Sequence, residues 1–248
     1  MREILYGLKL SFSYFSILPV KFKDIIQTKK SDKAFLFFIP FVGGVLSLLA
    51  IMLFTLLSRF FPPFYAAVFS GVFYMTLYGF LHLEAVIDTV DALFASHSGK
   101  DVYKIMKEPT VGAVGVVFVV LFLMLKMTAV SYLLTKDIFY GFLTAAVFAR
   151  LSIIFTLKYF DIHPKSVLAN TLKNSLSKEI FFFMILFYLL FAFILTGIKA
   201  LFVIALSFLL TIVLSSCLKK KTGFINGDIL GFIIEMNEFL VLNLFLAV

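Results

Sequence analysis

Tryptophan is absent from these 248 residues, and cysteine occurs once, at Cys217. A single thiol excludes an internal disulfide, and at the end of an apolar run it reads as a packed, inert residue. Charge is scarce as well: 15% of the residues are Asp, Glu, Lys or Arg, against about 25% in a soluble domain. With 62% hydrophobic residues and a mean hydropathy of +1.08, that scarcity excludes an ordinary water-soluble fold. It implies an integral membrane protein of the all-α class. No Ser sits between glycines as a nucleophile elbow, so Ser–His–Asp chemistry lacks support. His82, His97 and His163 are scattered, and with one Cys there is no zinc site. A cleavable signal is not expected, because Lys9 interrupts the first apolar stretch and no small-residue cleavage site follows. Neither an internal repeat nor a long linker is visible, so residues 1–248 read as one membrane domain.

What is present is a series of apolar runs with basic residues between them. The net charge of +8 is spread over these gaps rather than gathered into a patch, which argues for membrane topology and against nucleic acid. Residues 3–20 carry Lys9, Ser11, Ser13 and Ser16 and end near Pro19; they predict an interfacial helix. Residues 21–33 form a basic linker. Spans are expected at 34–57, 64–83, 111–134, 138–157, 180–196, 200–218 and 229–248, giving a bundle of about seven. Residues 84–110 are polar and hold Val102, Ile105 and Met106 at the spacing of a short surface helix, and 158–179 reads as a polar loop. Seven spans put alternate loops on opposite sides. One side then holds 17 of the 22 Lys and Arg, and the other holds Arg59, Lys136 and Lys199. The basic side is expected in the cytoplasm.

The polar residues that break this pattern form three groups. Glu84, Asp88 and Asp91 follow the second run directly. At about 100° per residue, their offsets fall within an arc of roughly 60° on one helix face. Acidic groups at a membrane edge are functional by default, and such a stripe suits Mg²⁺ held with substrate phosphates. A solvated helix face is the competing reading, and His82 beside it reads more simply as a structural residue than as a base. The second group is Gly223…Asn226-Gly227-Asp228…Gly231…Glu235…Glu238, in which Asp228, Glu235 and Glu238 share one face. Its glycines would let backbone approach a phosphate or a neighbouring helix. Lys126 and Arg150 interrupt spans, and pairing with Glu235 and Glu238 is their structural alternative. The third group, Lys104, Lys107, Arg150, Lys158 and Lys165, could steer an anionic substrate. Acids, intramembrane cations and a cytoplasmic position together point to metal-dependent chemistry on a phosphorylated substrate.

The stretch Gly79-Phe-Leu-His-Leu-Glu-Ala-Val-Ile-Asp-Thr-Val-Asp-Ala-Leu-Phe94, followed by Ile105-Met-Lys-Glu-Pro-Thr-Val-Gly-Ala-Val-Gly115, resembles the cobalamin (5′-phosphate) synthase family, the adenosylcobinamide-GDP ribazoletransferases. That family reads approximately G-G-x-H-L-D-G-x-x-D-T-x-D-G-x-F and then I-M-(K/R)-D-S-R-x-G-x-x-G. Gly223-Phe-Ile-Asn-Gly-Asp-Ile-Leu-Gly231…Glu235…Glu238 is similar to its C-terminal G-G-x-T-G-D-x-x-G…E…E. Phe15-Ser-Ile-Leu-Pro19 and Phe38-Ile-Pro-Phe-Val-Gly43 resemble its N-terminal patterns. The match runs in order along the whole chain. Glu84 stands for the family Asp, Ala85 and Ala92 for Gly, Thr110 for an Arg, Asn226 for Thr, and Phe232 for a small residue.

The resemblance implies that adenosylcobinamide-GDP and α-ribazole, or its 5′-phosphate, are joined to give adenosylcobalamin, or its 5′-phosphate, and GMP. In that reading Glu84, Asp88, Asp91, Asp228 and Glu235 are candidate Mg²⁺ ligands. Asp88, Asp91 and Asp228 are catalytic, and His82 is a weaker candidate base. Lys107, Arg150, Gly112, Asn226 and Gly227 are expected to contact substrate. The site would face the cytoplasm from the inner membrane. A homo-oligomer and a complex with other corrinoid-pathway enzymes both stay open. A CDP-alcohol-type phosphotransferase and a secondary transporter are the alternatives. The chain lacks the Gly and Arg of the first and the inverted repeat common in the second.

Overall fold

Seven apolar runs and a short first helix are what the chain folds into, with two departures. The computed structural model describes residues 1–22, 28–96, 101–108 and 110–247, and among these there are helices and connecting turns but no strands. In chain order the helices are α1 (Arg2–Phe15), α2 (Lys29–Leu57), α3 (Pro63–Leu77), α4 (Leu81–Ala95), α5 (Val102–Ile105), α6 (Ala113–Thr135), α7 (Phe139–Tyr159), α8 (Val167–Ser175), α9 (Lys178–Thr196), α10 (Lys199–Thr222) and α11 (Gly227–Ala247). Six of them, α2, α6, α7, α9, α10 and α11, are long and apolar enough to cross a membrane. The pair α3 and α4 passes the same test together, but with an 80° bend between them. The protein is therefore a polytopic helical membrane bundle.

The first departure is the bend. A continuous span is expected over 64–83, but α3 stops at Leu77. Gly79 and Phe80 both take left-handed backbone, with φ of 75° and 58°. That conformation costs Gly little and costs Phe more. It turns α4 out of line with α3. The side chains of α4 then meet the first turns of α6 and α11: Ile87 lies against Gly115, and Ala85 lies against Gly231. The helix carrying the acidic stripe thus leaves the line of α3 and packs on α6 and α11.

The second departure is at α2, which begins at Lys29 instead of after a basic linker. Thr28 and Ser31 form a reciprocal capping box: Thr28 Oγ1 accepts from the Ser31 N–H at 3.2 Å, and the Thr28 N–H donates to Ser31 Oγ at 2.9 Å. Satisfying these otherwise unpaired donors starts the helix early. It places Lys29, Lys30 and Lys33 on its first turns. The short helix expected over 3–20 is α1, and its 14 residues make it about 21 Å long. It packs on α2 at close range, with Ser11 Oγ donating to the Phe35 carbonyl at 3.1 Å. A short helix, α8, occupies part of the expected polar loop 158–179.

α7 is the central helix: 83% of its apolar window is buried, against 22% for the peripheral α9. α9 turns Phe182, Leu186 and Ile194 outward, which suits a lipid-facing surface. α2 crosses α7 at Gly43, where a Cβ would collide with the Ala146 carbonyl. Ser207 and Thr211 of α10 bond Asn237 of α11 at 3.0 and 3.1 Å, joining two spans without leaving a polar group unpaired.

Four charged residues are fully buried among the spans. Lys126 of α6 lies 2.6 Å from Glu235 and 3.2 Å from Glu238, both on α11. Arg150 of α7 lies 3.5 Å from Glu238, and it donates to Tyr74 Oη at 3.3 Å and to the Ala146 carbonyl at 2.8 Å. Lys126 also faces the Tyr78 ring at 5.3 Å. Two cations balance two carboxylates, as hydrocarbon requires of buried charge. Removing one partner leaves an unpaired charge and costs about 3 kcal/mol or more. Lys126→Met is therefore expected to destabilise the protein by about that amount in detergent-unfolding measurements, whereas the charge-balanced double variant Lys126→Met/Glu235→Leu recovers most of the loss.

Candidate functional site

The α4–α5 region, the α7–α8 connection and the α10–α11 connection meet at the end of the bundle where α4 lies. Tyr103 stacks on His163 with ring centroids 4.2 Å apart and meets Phe224 edge-on at 5.4 Å. The His163 N–H donates to the Ile225 carbonyl at 2.7 Å. These contacts fix the approach to α11, whose start is capped by Asn226: Asn226 Oδ1 accepts from the Ile229 N–H at 3.0 Å. The same side chain donates through Nδ2 to Asp228 Oδ2 at 2.8 Å. Lys107 Nζ reaches that oxygen from the other side, also at 2.8 Å. Asp228 is thereby held in the first turn of α11, where the helix dipole favours a negative charge.

Two cavities share this ion pair. The larger, of about 740 Å³, is lined by Glu84, Asp88, Glu108, Thr110, Lys107 and Asp228 with apolar residues beneath. The smaller, of about 380 Å³, is lined mainly by apolar and aromatic side chains and also includes Lys107, Asn226, Gly227 and Asp228. A third hollow continues past Asp88 to Asp91, Thr110 and Gly112. The stripe residues Glu84 and Asp88 therefore come together with Lys107 and Asp228, which lie far along the chain.

Partial burial, with the nearby carboxylates of Asp228 and Glu84, pushes the Asp88 carboxyl up to about 6, and Lys107 opposes the rise. Burial lowers the Lys107 ammonium's pKa, but the Asp228 carboxylate more than offsets this, so the group stays charged above its usual range.

Asp91 is differently placed. Its Oδ2 accepts from the Gly112 N–H and its Oδ1 from the Gly115 N–H, both at 2.7 Å. Its carboxylate thus caps α6 from another helix, meeting donors that have no partner within α6 itself. A Cβ at Gly115 would come within 2.7 Å of Asp91 Oδ2, and one at Gly112 would collide with the same carboxylate. Gly112, expected at the substrate, thus serves Asp91 while bordering the third hollow. The signal for this was present as Gly-x-x-Gly at the start of a span, where free N–H groups need an acceptor.

Two expected site residues do not reach the cavities. Arg150, a candidate phosphate contact, and Glu235, a candidate metal ligand, belong to the buried ion network among the spans, where each is engaged with opposite charge. His82 is buried between Phe15 and Tyr78, with ring centroids at 5.5 and 6.0 Å. It lies in the wall of the smaller cavity, and its Nε2 has no hydrogen-bond partner among the described residues. Tyr14, Tyr103 and the residues of α8 that line this cavity were not anticipated. Leu168, Leu172 and Leu176 recur at helical spacing and were the available sign of α8.

Among the described residues, no three His, Cys, Asp or Glu side chains converge to hold a metal ion by themselves. That donor set still fits Mg²⁺, which usually takes one or two carboxylates and completes its shell with water and substrate phosphates. Asp88, with Glu84 or Asp228, would hold it.

A family model described as Cobalamin-5-phosphate synthase matches residues 7–246. The chain belongs to the cobalamin-5-phosphate synthase family. Relatives named adenosylcobinamide-GDP ribazoletransferase include one from Clostridium botulinum strain Okra, 26% identical with all of both chains covered. Another, from Treponema denticola, is 28% identical over 96% of each chain. A third, from Clostridium perfringens strain SM101, has the same identity and coverage. No solved structure matches the chain. Membership in the cobalamin-5-phosphate synthase family makes this bundle end the place to test for an active site.

Two outcomes follow from the different placing of the two aspartates. Asp91→Ala is expected to lower stability by about 1–2 kcal/mol, the usual cost of a lost cap, while Asp88→Ala leaves unfolding in detergent nearly unchanged. A water-soluble carbodiimide attacks protonated carboxyls. Mass-spectrometric labelling of Asp88 should therefore fall as pH rises through about 6. Asp228→Asn removes a neighbouring negative charge and should move that midpoint to lower pH.

Proposed function

We propose that this chain is an adenosylcobinamide-GDP ribazoletransferase, joining adenosylcobinamide-GDP to α-ribazole or its 5′-phosphate with release of GMP. The observation that carries the reading is the wall between the two cavities, where Asp228 and Lys107 are paired at 2.8 Å beside Asp88. Reaction across a diphosphate needs a nucleophilic hydroxyl and a phosphorus atom brought together, and a compensated charge on the leaving phosphate. A ribose hydroxyl attacks the phosphorus next to cobinamide, and the bond from that phosphorus to the GMP oxygen breaks. A phosphodiester and GMP result, and the hydroxyl proton is lost. Lys107 places a positive charge where phosphate oxygens gather. Asp228, held by Asn226 and Lys107, orients the hydroxyl and accepts its proton. Asp88 and Glu84 would hold Mg²⁺, which would supply neutralisation of the charge developing on GMP.

The distribution of basic residues supports a cytoplasmic orientation in the inner membrane. Segments 101–108, 160–166 and 223–226, which border the site, belong to the loops on the basic side. On that side the donor and Mg²⁺ are at hand.

Membranes containing the protein should release GMP from adenosylcobinamide-GDP only when α-ribazole and Mg²⁺ are both supplied. Asp88→Asn is expected to reduce that release by about 10²-fold or more while leaving the protein folded. Near-normal release by this variant would contradict the metal assignment, and accumulation of substrate inside vesicles without GMP release would indicate transport.

A further inference from the structure

The two cavities differ in chemistry, although they share the Lys107–Asp228 wall. The larger presents Glu84, Asp88, Glu108 and Thr110, groups suited to a cation-bound diphosphate. The smaller lies among α1, α4, α7, α8 and α11 and is mainly apolar and aromatic, with Phe15, Leu81, Ile153, Leu157 and Leu172, while Lys165 and Ser166 join Lys107 and Asp228 among its polar groups. Its volume of about 380 Å³ is near the lower end of the roughly 300–1,000 Å³ typical of small-molecule sites. That is too little for a corrinoid carrying a nucleoside diphosphate, but it matches a single nucleoside.

We infer that the smaller cavity is the acceptor subsite: it seats the flat heterocyclic base of the ribazole against apolar and aromatic side chains, with the ribose directed at the Lys107–Asp228 pair. The inference rests on the proposed transferase reading and adds to it which substrate lies on which side of the ion pair. Aromatic and aliphatic walls favour a flat, apolar-edged ring. The guanine of the donor is the other flat ring in the reaction. Its edge carries several donors and acceptors, and the part of this wall made by Phe15, Leu81, Ile153, Leu157 and Leu172 would leave those that face it unpaired at a cost for each. α8 closes the side of the cavity with Val167, Leu168 and Ala169. It therefore determines which bases fit.

The test narrows this cavity without touching the ion pair. Val167 is 75% exposed on the rim, so Val167→Trp is tolerated by the fold; Ala169→Phe fills the cavity from deeper inside. Binding of α-ribazole by its own fluorescence, binding of adenosylcobinamide-GDP and steady-state GMP release are measured on the full-length protein in nanodiscs. The expected result is a rise of about tenfold or more in both Kd and KM for α-ribazole in at least the rim variant, with donor affinity within twofold of the unaltered protein. Weakened donor binding with unchanged α-ribazole affinity would assign the cavity to guanine or the corrinoid and overturn the inference. Unchanged affinity for both substrates, with GMP release intact, would overturn it as well. Failure of the unaltered protein to release GMP from the two substrates would instead overturn the proposed reaction.

Discussion

Charge cannot be left unbalanced in hydrocarbon, and this bundle is organised around that constraint. Lys126, Arg150, Glu235 and Glu238 come from α6, α7 and α11, and Tyr74 and Tyr78 at the end of α3 complete their surroundings. Each charge is tolerable only while an opposite charge stays beside it. The network therefore fixes how those four helices sit against one another. The site depends on three of them. The end of α3 leads through Gly79 and Phe80 into α4, the start of α6 receives Asp91, and the start of α11 carries Asp228. Residues with no access to the cavities thus set the positions of residues that line them.

At the bundle end, neighbouring carboxylates of one stripe have separate tasks. Asp91 gives both oxygens to backbone N–H groups of α6, so α4 and α6 are locked together. Asp88, one turn earlier, faces a cavity and is raised towards neutrality by burial and by Asp228 and Glu84. A carboxylate crowded in this way gains from a divalent cation, because the cation removes the repulsion that raised its pKa. The strained backbone at Phe80 is the local cost of turning α4 to where these groups can meet.

The helical membrane bundle and the acidic stripe were readable from the chain, because hydropathy and charge placement act locally. The pairing of Glu235 and Glu238 with Lys126 and Arg150 was open as one of two readings; the geometry decides for it, and so removes Arg150 and Glu235 from the cavity. What could not be read depended on contacts distant in sequence. Nothing local in Phe80 announces left-handed backbone. The acceptor of the Gly112 and Gly115 N–H groups lies on another helix. The smaller cavity exists only because α1, α8 and α11 come together around His82. Lys107 was identified as a phosphate contact, but its pairing with Asp228, 121 residues away, is visible only in three dimensions.

The most direct test of this account is a structure of the protein in lipid nanodiscs with adenosylcobinamide-GDP and Mg²⁺ bound. The account predicts that the diphosphate lies in the larger cavity, with Lys107 and Asp228 on one side and Asp88 in contact through the cation. A diphosphate bound away from this wall, with Asp88 and Asp228 facing neither phosphate nor metal, would contradict it.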